Sequence, residues 1–258
     1  MSQLQALIFD VDGTLADTER DGHRVAFNRA FADAGLDWQW SIDRYGKLLA
    51  IAGGKERIQH YIEQDHPDVA TAQTTRDLKQ MIAELHASKT MHYKRLLTEG
   101  IMPLRPGVQR LIAEARQQKI RLAIATTSAL DNVIALLETA IAPDSVEWFE
   151  VIAAGDIVSA KKPAPDIYHY VLQTMQLEPQ HCLVIEDSHH GLVAARHANL
   201  TTVVTVNDYT CSQDFAGATL VLSHLGEPET PFQVWGGHSN GASYFNLELA
   251  NTLLYGDD

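Results

Sequence analysis

Cysteine is scarce in this sequence: Cys182 and Cys211 are the only two in 258 residues. That count excludes a disulfide-stapled secreted scaffold. Cys182 opens a strand-like run and Cys211 sits in a polar stretch, so both read as buried or incidental thiols. Long apolar runs are also missing. None approaches the roughly 18 residues of a membrane span, which excludes a helical membrane protein. Positive charge is in short supply, with 20 Lys and Arg against 33 Asp and Glu and a formal net charge of −13. Such a surface repels nucleic acid and anionic membranes. A phosphorylated ligand would meet the same repulsion, so any site for one must build a local positive field. Met1 to Gln5 lacks a basic n-region and leads straight into a strand pattern. The expected location is the cytoplasm, or the plastid stroma if a transit peptide has been removed. There are no repeats or low-complexity tracts.

What is present is an ordinary globular composition, 45% hydrophobic and 21% charged, with enough length to bury a core. Short, continuous apolar runs recur at Leu7–Phe9, Leu122–Ala125, Val151–Ala153, Leu183–Ile185, Thr202–Val206 and Leu220–Leu222. Runs of this kind fit strands covered on both faces. Helical spacing separates them: Val108, Leu111, Ile112 and Ala115 after Pro106-Gly107, then Ile167, Tyr170, Val171 and Met175 after Pro165-Asp166. A third such segment follows Ser188. Alternation of this kind predicts an α/β fold, a Rossmann-like parallel sheet with helices on both faces. Residues 17–97 lack strand runs and read as an inserted helical cap domain. Residues 1–16 and 98–225 read as the core, and 226–258 as a C-terminal extension packed on it. Within that extension 236–241 reads as a loop, and Leu247, Leu249, Ala250, Leu253 and Leu254 as a short helix.

Candidate chemistry collects just beyond the strands. Asp10 and Asp12 follow the first run two residues apart, so in extended chain they face the same way. Two adjacent carboxylates repel unless a cation binds them or one is protonated. Taken alone, the pair also fits a solvated strand-end turn. Thr126, Thr127 and Ser128 end the second run, and their hydroxyls suit a phosphoryl oxygen or a helix N-cap equally well. Lys162 precedes Pro163, which restricts it to extended backbone and defines its reach. It is either a phosphate neutraliser or half of a solvated pair with Lys161. Glu186 and Asp187 end the fourth run and complete an oxygen-rich set with Asp10 and Asp12, the kind magnesium takes rather than zinc. Their joint placement at successive strand ends favours a phosphoryl-transfer site over a chance collection.

With Lys162-Pro163-x-Pro165-Asp166 and Glu186-Asp187-Ser188, the run Asp10-Val11-Asp12-Gly13-Thr14-Leu15 and the hydroxyls at Thr126 resemble the four motifs of the haloacid dehalogenase superfamily. The resemblance covers residues 4–225. It implies Asp10 as nucleophile, Asp12 as general acid/base, Thr126 and Lys162 as phosphate binders, and Mg2+ on Asp10, Asp12 and Asp187 with Glu186 nearby. Within the superfamily the chain is similar to the β-phosphoglucomutase-like branch and, inside it, to the CbbY-type phosphatases, which act on xylulose 1,5-bisphosphate, an inhibitor of Rubisco. The residues carrying that similarity are Asp17-Thr18-Glu19, His23, Gly53-Gly54-Lys55-Glu56-Arg57, and His86 with Lys89-Thr90. Asp21-Gly22 adds a residue before His23 relative to the mutases.

A bisphosphate needs a second anion site. Gly53 and Gly54 free backbone N–H groups at a helix start, and Lys55 and Arg57 add charge there. His86 and Lys89, three apart, share a helix face, while Glu19 and His23 are placed to bond sugar hydroxyls. All of these also fit ordinary surface or packed residues. The leading expectation is a monomeric phosphatase acting on a small sugar phosphate. A phosphomutase on the same scaffold is the alternative, and a non-enzymatic sugar-phosphate sensor is a third reading.

Overall fold

The computed structural model describes residues 4–256 except Gln73 and Ile101. Met1 to Gln3, in the expected core, and the last two residues of the expected extension lie outside the described residues. In chain order, β1 (Ala6–Phe9) leads through a π-helical turn (Glu19–His23) into α1 (Arg24–Asp33), α2 (Ile42–Leu48), α3 (Gly54–Asp65), α4 (Pro67–Ala72) and α5 (Thr75–Thr98). Then follow α6 (Val108–Gln117), β2 (Arg121–Thr126), α7 (Leu130–Ala140), β3 (Val151–Ala154), α8 (Asp166–Met175), β4 (Cys182–Glu186), α9 (His189–His197), β5 (Thr201–Thr205) and β6 (Leu220–Leu222). The chain ends with β7 (Val234–Gly237) and α10 (Leu247–Tyr255).

The strands form one sheet in the order β3-β2-β1-β4-β5-β6-β7, parallel except for β7. Each apolar run of the sequence lies in a strand because both faces of the sheet are covered. Side chains alternate across β1: Leu7 and Phe9 join α6, α7 and α10 on one face, and Ala6 and Ile8 join α8 and α9 on the other. Four of the helices start where the sequence supplies a side-chain acceptor. Ser41, Thr74, Ser188 and Asn246 each cap a helix through the side-chain oxygen.

The inserted helices close on an aromatic core of their own, with Phe27, Phe31, Trp38, Trp40, Tyr45 and Tyr61 in mutual contact and Phe31, Trp38, Trp40 and Tyr61 meeting edge-on in four pairs. Asp21 and Gly22 fall inside the π-helical turn that precedes α1. The tail corrects one expectation: Gly236 and Gly237 are not loop but part of β7, paired with Leu220 and Val221. Leu247, Leu249 and Ala250 of α10 enter the main core beside α6. No described helix is long and apolar enough to cross a membrane.

Candidate active site

From β1 the chain moves outward to β2 and β3, then returns to place β4 on the other side of β1. The crevice beyond the carboxyl ends of β1 and β4 is therefore the switch point where such sheets bind ligands. Asp10 follows β1 there, and Glu186 and Asp187 end and follow β4. Thr126 ends β2. Lys162, whose peptide bond to Pro163 is cis, comes from the loop after β3. All five are buried.

Lys162 is the hub. Its ammonium lies 2.8 Å from Asp10 Oδ1, donates 2.8 Å to the Ala125 carbonyl, and also bonds Glu186 Oε1. Tyr168 donates 2.7 Å to the same Glu186 oxygen. The other Glu186 oxygen accepts from the Asp187 backbone and Ser188 Oγ. With those positions taken, the Glu186 carboxylate serves to hold Lys162 in place.

Asp12 turns toward the helical insert. Its Oδ1 accepts from Thr18 Oγ1 and from His23 Nε2 at 2.6 Å, and His23 Nδ1 lies 2.6 Å from Lys89 Nζ. A lysine ammonium has no lone pair, so Nδ1 accepts and Nε2–H donates to the carboxylate. His23 stacks on Tyr93 at 4.1 Å. Burial pushes the Asp12 carboxyl up, but the hydrogen bonds from His23, Thr18 and Ser128 outweigh it and hold it well below the usual range. His23 is therefore buried between Asp12 and Lys89, with both ring nitrogens engaged, and its ring borders the recess described below.

Asp10 and Asp187 show the opposite balance. Burial, then neighbouring carboxylates, raises Asp187 far above its ordinary value. Asp10 is raised by burial and by Glu186 and Asp12, against the pull of Lys162. Three carboxylates (Asp10, Glu186, Asp187) share this cluster with the single ammonium of Lys162. The two surplus negative charges match one divalent cation, and an all-oxygen donor set suits magnesium. Asp12, Glu19 and His23 also approach one another, but both His23 nitrogens are already bonded.

A cavity of about 390 Å³ opens over Asp10, Thr126, Thr127 and Lys162 and reaches Glu19, Arg57 and Tyr209. A narrower polar recess continues past Asp12 to Gly53, Gly54, His86, Lys89, Ser128 and Asn132. Arg57 is fixed there by the carbonyls of Leu48 and Ile51 and by Tyr45 Oη at 2.8 Å, while Tyr45 donates to Glu19. Lys89 sits among Phe27, Tyr93 and His23, and burial depresses it to about 8. His86 is lowered to about 4 by burial and then by nearby Lys89. It is neutral at pH 7 and borders the recess without adding charge.

Two expected ligand-binding residues point elsewhere. Lys55 Nζ lies 3.0 Å from Asp156, and Glu56 is paired with Lys161 at 2.8 Å. At the start of α3 these side chains splay outward across the cleft to the sheet domain, while Arg57, one step further round the helix, turns inward. Sequence reasoning gave no site role to Tyr45, Tyr168 or Asn207, and left open whether Asn132 reaches the substrate. Asn207 directly follows the Thr202–Val206 run, and that strand-end position was the one available signal.

The chain matches the family model of haloacid dehalogenase-like hydrolases over residues 4–199. It belongs to that family. The CbbY protein of Cupriavidus necator is 47% identical over 247 residues, covering 96% of this chain and 94% of that protein. The CbbY protein of Rhodobacter capsulatus is 47% identical over 228 residues, covering 88% of this chain and 96% of the relative. Two crystal structures of Rhodobacter sphaeroides CbbY, one with phosphate and one of a variant with xylulose 1,5-bisphosphate, superpose with a TM-score of 0.78 at 42% identity. Each match covers 86% of this chain and 95% of that one. A β-phosphoglucomutase from Clostridium difficile, 22% identical with a TM-score of 0.67 over 85% of this chain and 90% of that one, shares the fold. This family member is an enzyme, a phosphoric monoester hydrolase, and its core is the α/β sheet of the CbbY structures.

Proposed function

We propose that the chain is a magnesium-dependent phosphatase that hydrolyses a small sugar bisphosphate through an aspartyl-phosphate on Asp10. Xylulose 1,5-bisphosphate is the favoured substrate and xylulose 5-phosphate the product, which would remove a Rubisco inhibitor. The observation that carries this reading is the pairing of two buried cationic stations along one continuous cavity. Lys162 stands beside Asp10, and Arg57 with Lys89 stands in the recess beyond Asp12. In this reading one phosphate would sit at each station. The similar CbbY structure with xylulose 1,5-bisphosphate supports the same choice.

In the first step an Asp10 carboxylate oxygen bonds to phosphorus as the bond to the sugar oxygen breaks. Asp12 delivers a proton to that leaving oxygen. In the second step water attacks phosphorus, Asp12 takes its proton, and the bond to Asp10 breaks. Asp12 rests as a carboxylate, and the arrival of an anionic substrate raises its proton affinity for the acid role. Lys162 and Thr126 hold the transferring oxygens. Asp10, Asp187 and the Asp12 backbone carbonyl would hold magnesium, which when bound would supply positive charge between the anionic nucleophile and the anionic phosphate. Glu19, held by Tyr45, would bond sugar hydroxyls, and Asn132, whose buried Oδ1 has no partner among the described residues, would accept from one.

The test is a phosphate-release screen with Mg2+ over pentose and hexose mono- and bisphosphates, including xylulose and ribulose 1,5-bisphosphate. Release from xylulose 1,5-bisphosphate well above the monophosphates is expected. Interconversion of sugar monophosphates under a bisphosphate activator would instead identify a phosphomutase.

A further inference from the structure

The turn that follows β5 touches the acidic cluster through one side chain. Asn207 Nδ2 donates to Asp187 Oδ2 at 2.7 Å. The other end of the same amide accepts from the Tyr209 backbone N–H at 2.9 Å, and the Asn207 N–H donates to Thr210 Oγ1 at 3.0 Å. Both ends of the amide are thus used, which fixes its orientation.

The turn is clamped on three sides. Arg105 donates to the Val206 carbonyl on one side and to the Gly13 carbonyl on the other. It thereby ties the end of β5 to the loop that carries Asp10 and Asp12. Gly13 lies flat on the Asp187–Asn207 pair. A β-carbon there would collide with the Asp187 carboxylate and come within 2.6 Å of Asn207 Nδ2. On the third side the Tyr209 ring rests on the helical insert, against Gly46 and 6.2 Å from the Tyr45 ring.

We infer that Asn207 is a positioning residue for the metal ligand Asp187. By occupying Oδ2 it fixes the carboxylate plane and leaves Oδ1 for the cation. Because it also holds Tyr209, it joins the ligand to the surface on which the helical insert rests. Outer-shell donors of this kind set how well a ligand is presented, and their loss commonly costs about 10- to 100-fold in metal affinity. The inference rests on the magnesium reading above.

Calorimetric titration with Mg2+ alone tests it, on wild type, Asn207→Ala, Asn207→Ser and Thr210→Ala. Ser keeps a turn-forming residue but is too short to reach Asp187. Thr210→Ala removes the other side-chain bond of the turn and leaves the Asp187 contact in place. The expected result is at least about a 10-fold loss of Mg2+ affinity in whichever Asn207 variant folds, with Thr210→Ala within about 2-fold of wild type. Equal losses in the Asn207 and Thr210 variants would mean that general loosening of the turn is responsible and would overturn the inference. Unchanged affinity in the Asn207 variants would overturn it alone. A wild type that binds no Mg2+ would overturn the magnesium reading and the inference together.

Discussion

His23 Nε2 lies 2.6 Å from Asp12 Oδ1 while its other ring nitrogen lies 2.6 Å from Lys89 Nζ, so one buried imidazole joins the proposed acid/base carboxylate to the proposed far anion station. His23 is among the groups that hold Asp12 below the usual carboxylate range. His23→Ala should let that carboxyl rise. A rate loss of about 10²-fold is expected, because the acid/base carboxylate loses the donor that orients it. A wild-type rate in His23→Ala would count against this role.

Lys89 gives a second pH signature. Burial depresses its ammonium to about 8, so above that pH the recess loses a positive charge. KM for a sugar bisphosphate should climb above pH 8, while KM for a small aryl phosphate stays level. Lys89→Met should abolish the climb. The stability sign is the reverse. Lys89 binds its proton less tightly folded than unfolded, so its contribution to stability rises with pH from about 8 to the unfolded value near 10.5. Lys89→Met should therefore stabilise the fold most below pH 8, as thermal melts across pH would record.

The ion pairs Lys55–Asp156, Glu56–Lys161 and Lys94–Asp131 all cross from the helical insert to the sheet domain. Each is partly exposed and contributes at most about 1 kcal/mol, less in salt. Lys55→Ala should raise KM by about 2- to 5-fold for every substrate alike, and high salt should reproduce the effect in wild type. A loss confined to bisphosphates would mean that Lys55 swings into the cavity.

Gly13 combines a φ of 87° with the close approach to Asp187. Gly13→Ala adds strain of about 1–2 kcal/mol and displaces the carboxylate. Phosphatase activity should disappear while the protein still folds. Retained activity would mean that the Asp187 side chain can move aside without loss of function.

The sheet was legible because its strands are apolar on both faces, so Leu7–Phe9 and Leu183–Ile185 stand out without alternation. Asp10, Thr126, Lys162 and Glu186-Asp187 were legible because strand ends converge at the switch point, and position in sequence alone brings them together. Side-chain direction at the start of α3 was not legible: the helix turns Lys55 outward and Arg57 inward, and the ion partners Asp156 and Lys161 lie about a hundred residues away in sequence. β7 was missed because its Gly-Gly pair reads as a turn, and only pairing with β6 makes it strand. The contacts of His23 with Asp12 and Lys89 were not legible, because nothing local reveals that these two residues enclose it.

The central claim is that phosphate passes through Asp10. Acid-quenching the enzyme during turnover of substrate labelled at the departing phosphate, then mapping the label by peptide, tests it most directly. The account predicts label on the peptide that spans Asp10, and none in Asp10→Asn. Label on another residue, or an Asp10→Asn variant that releases phosphate at the wild-type rate, would contradict it.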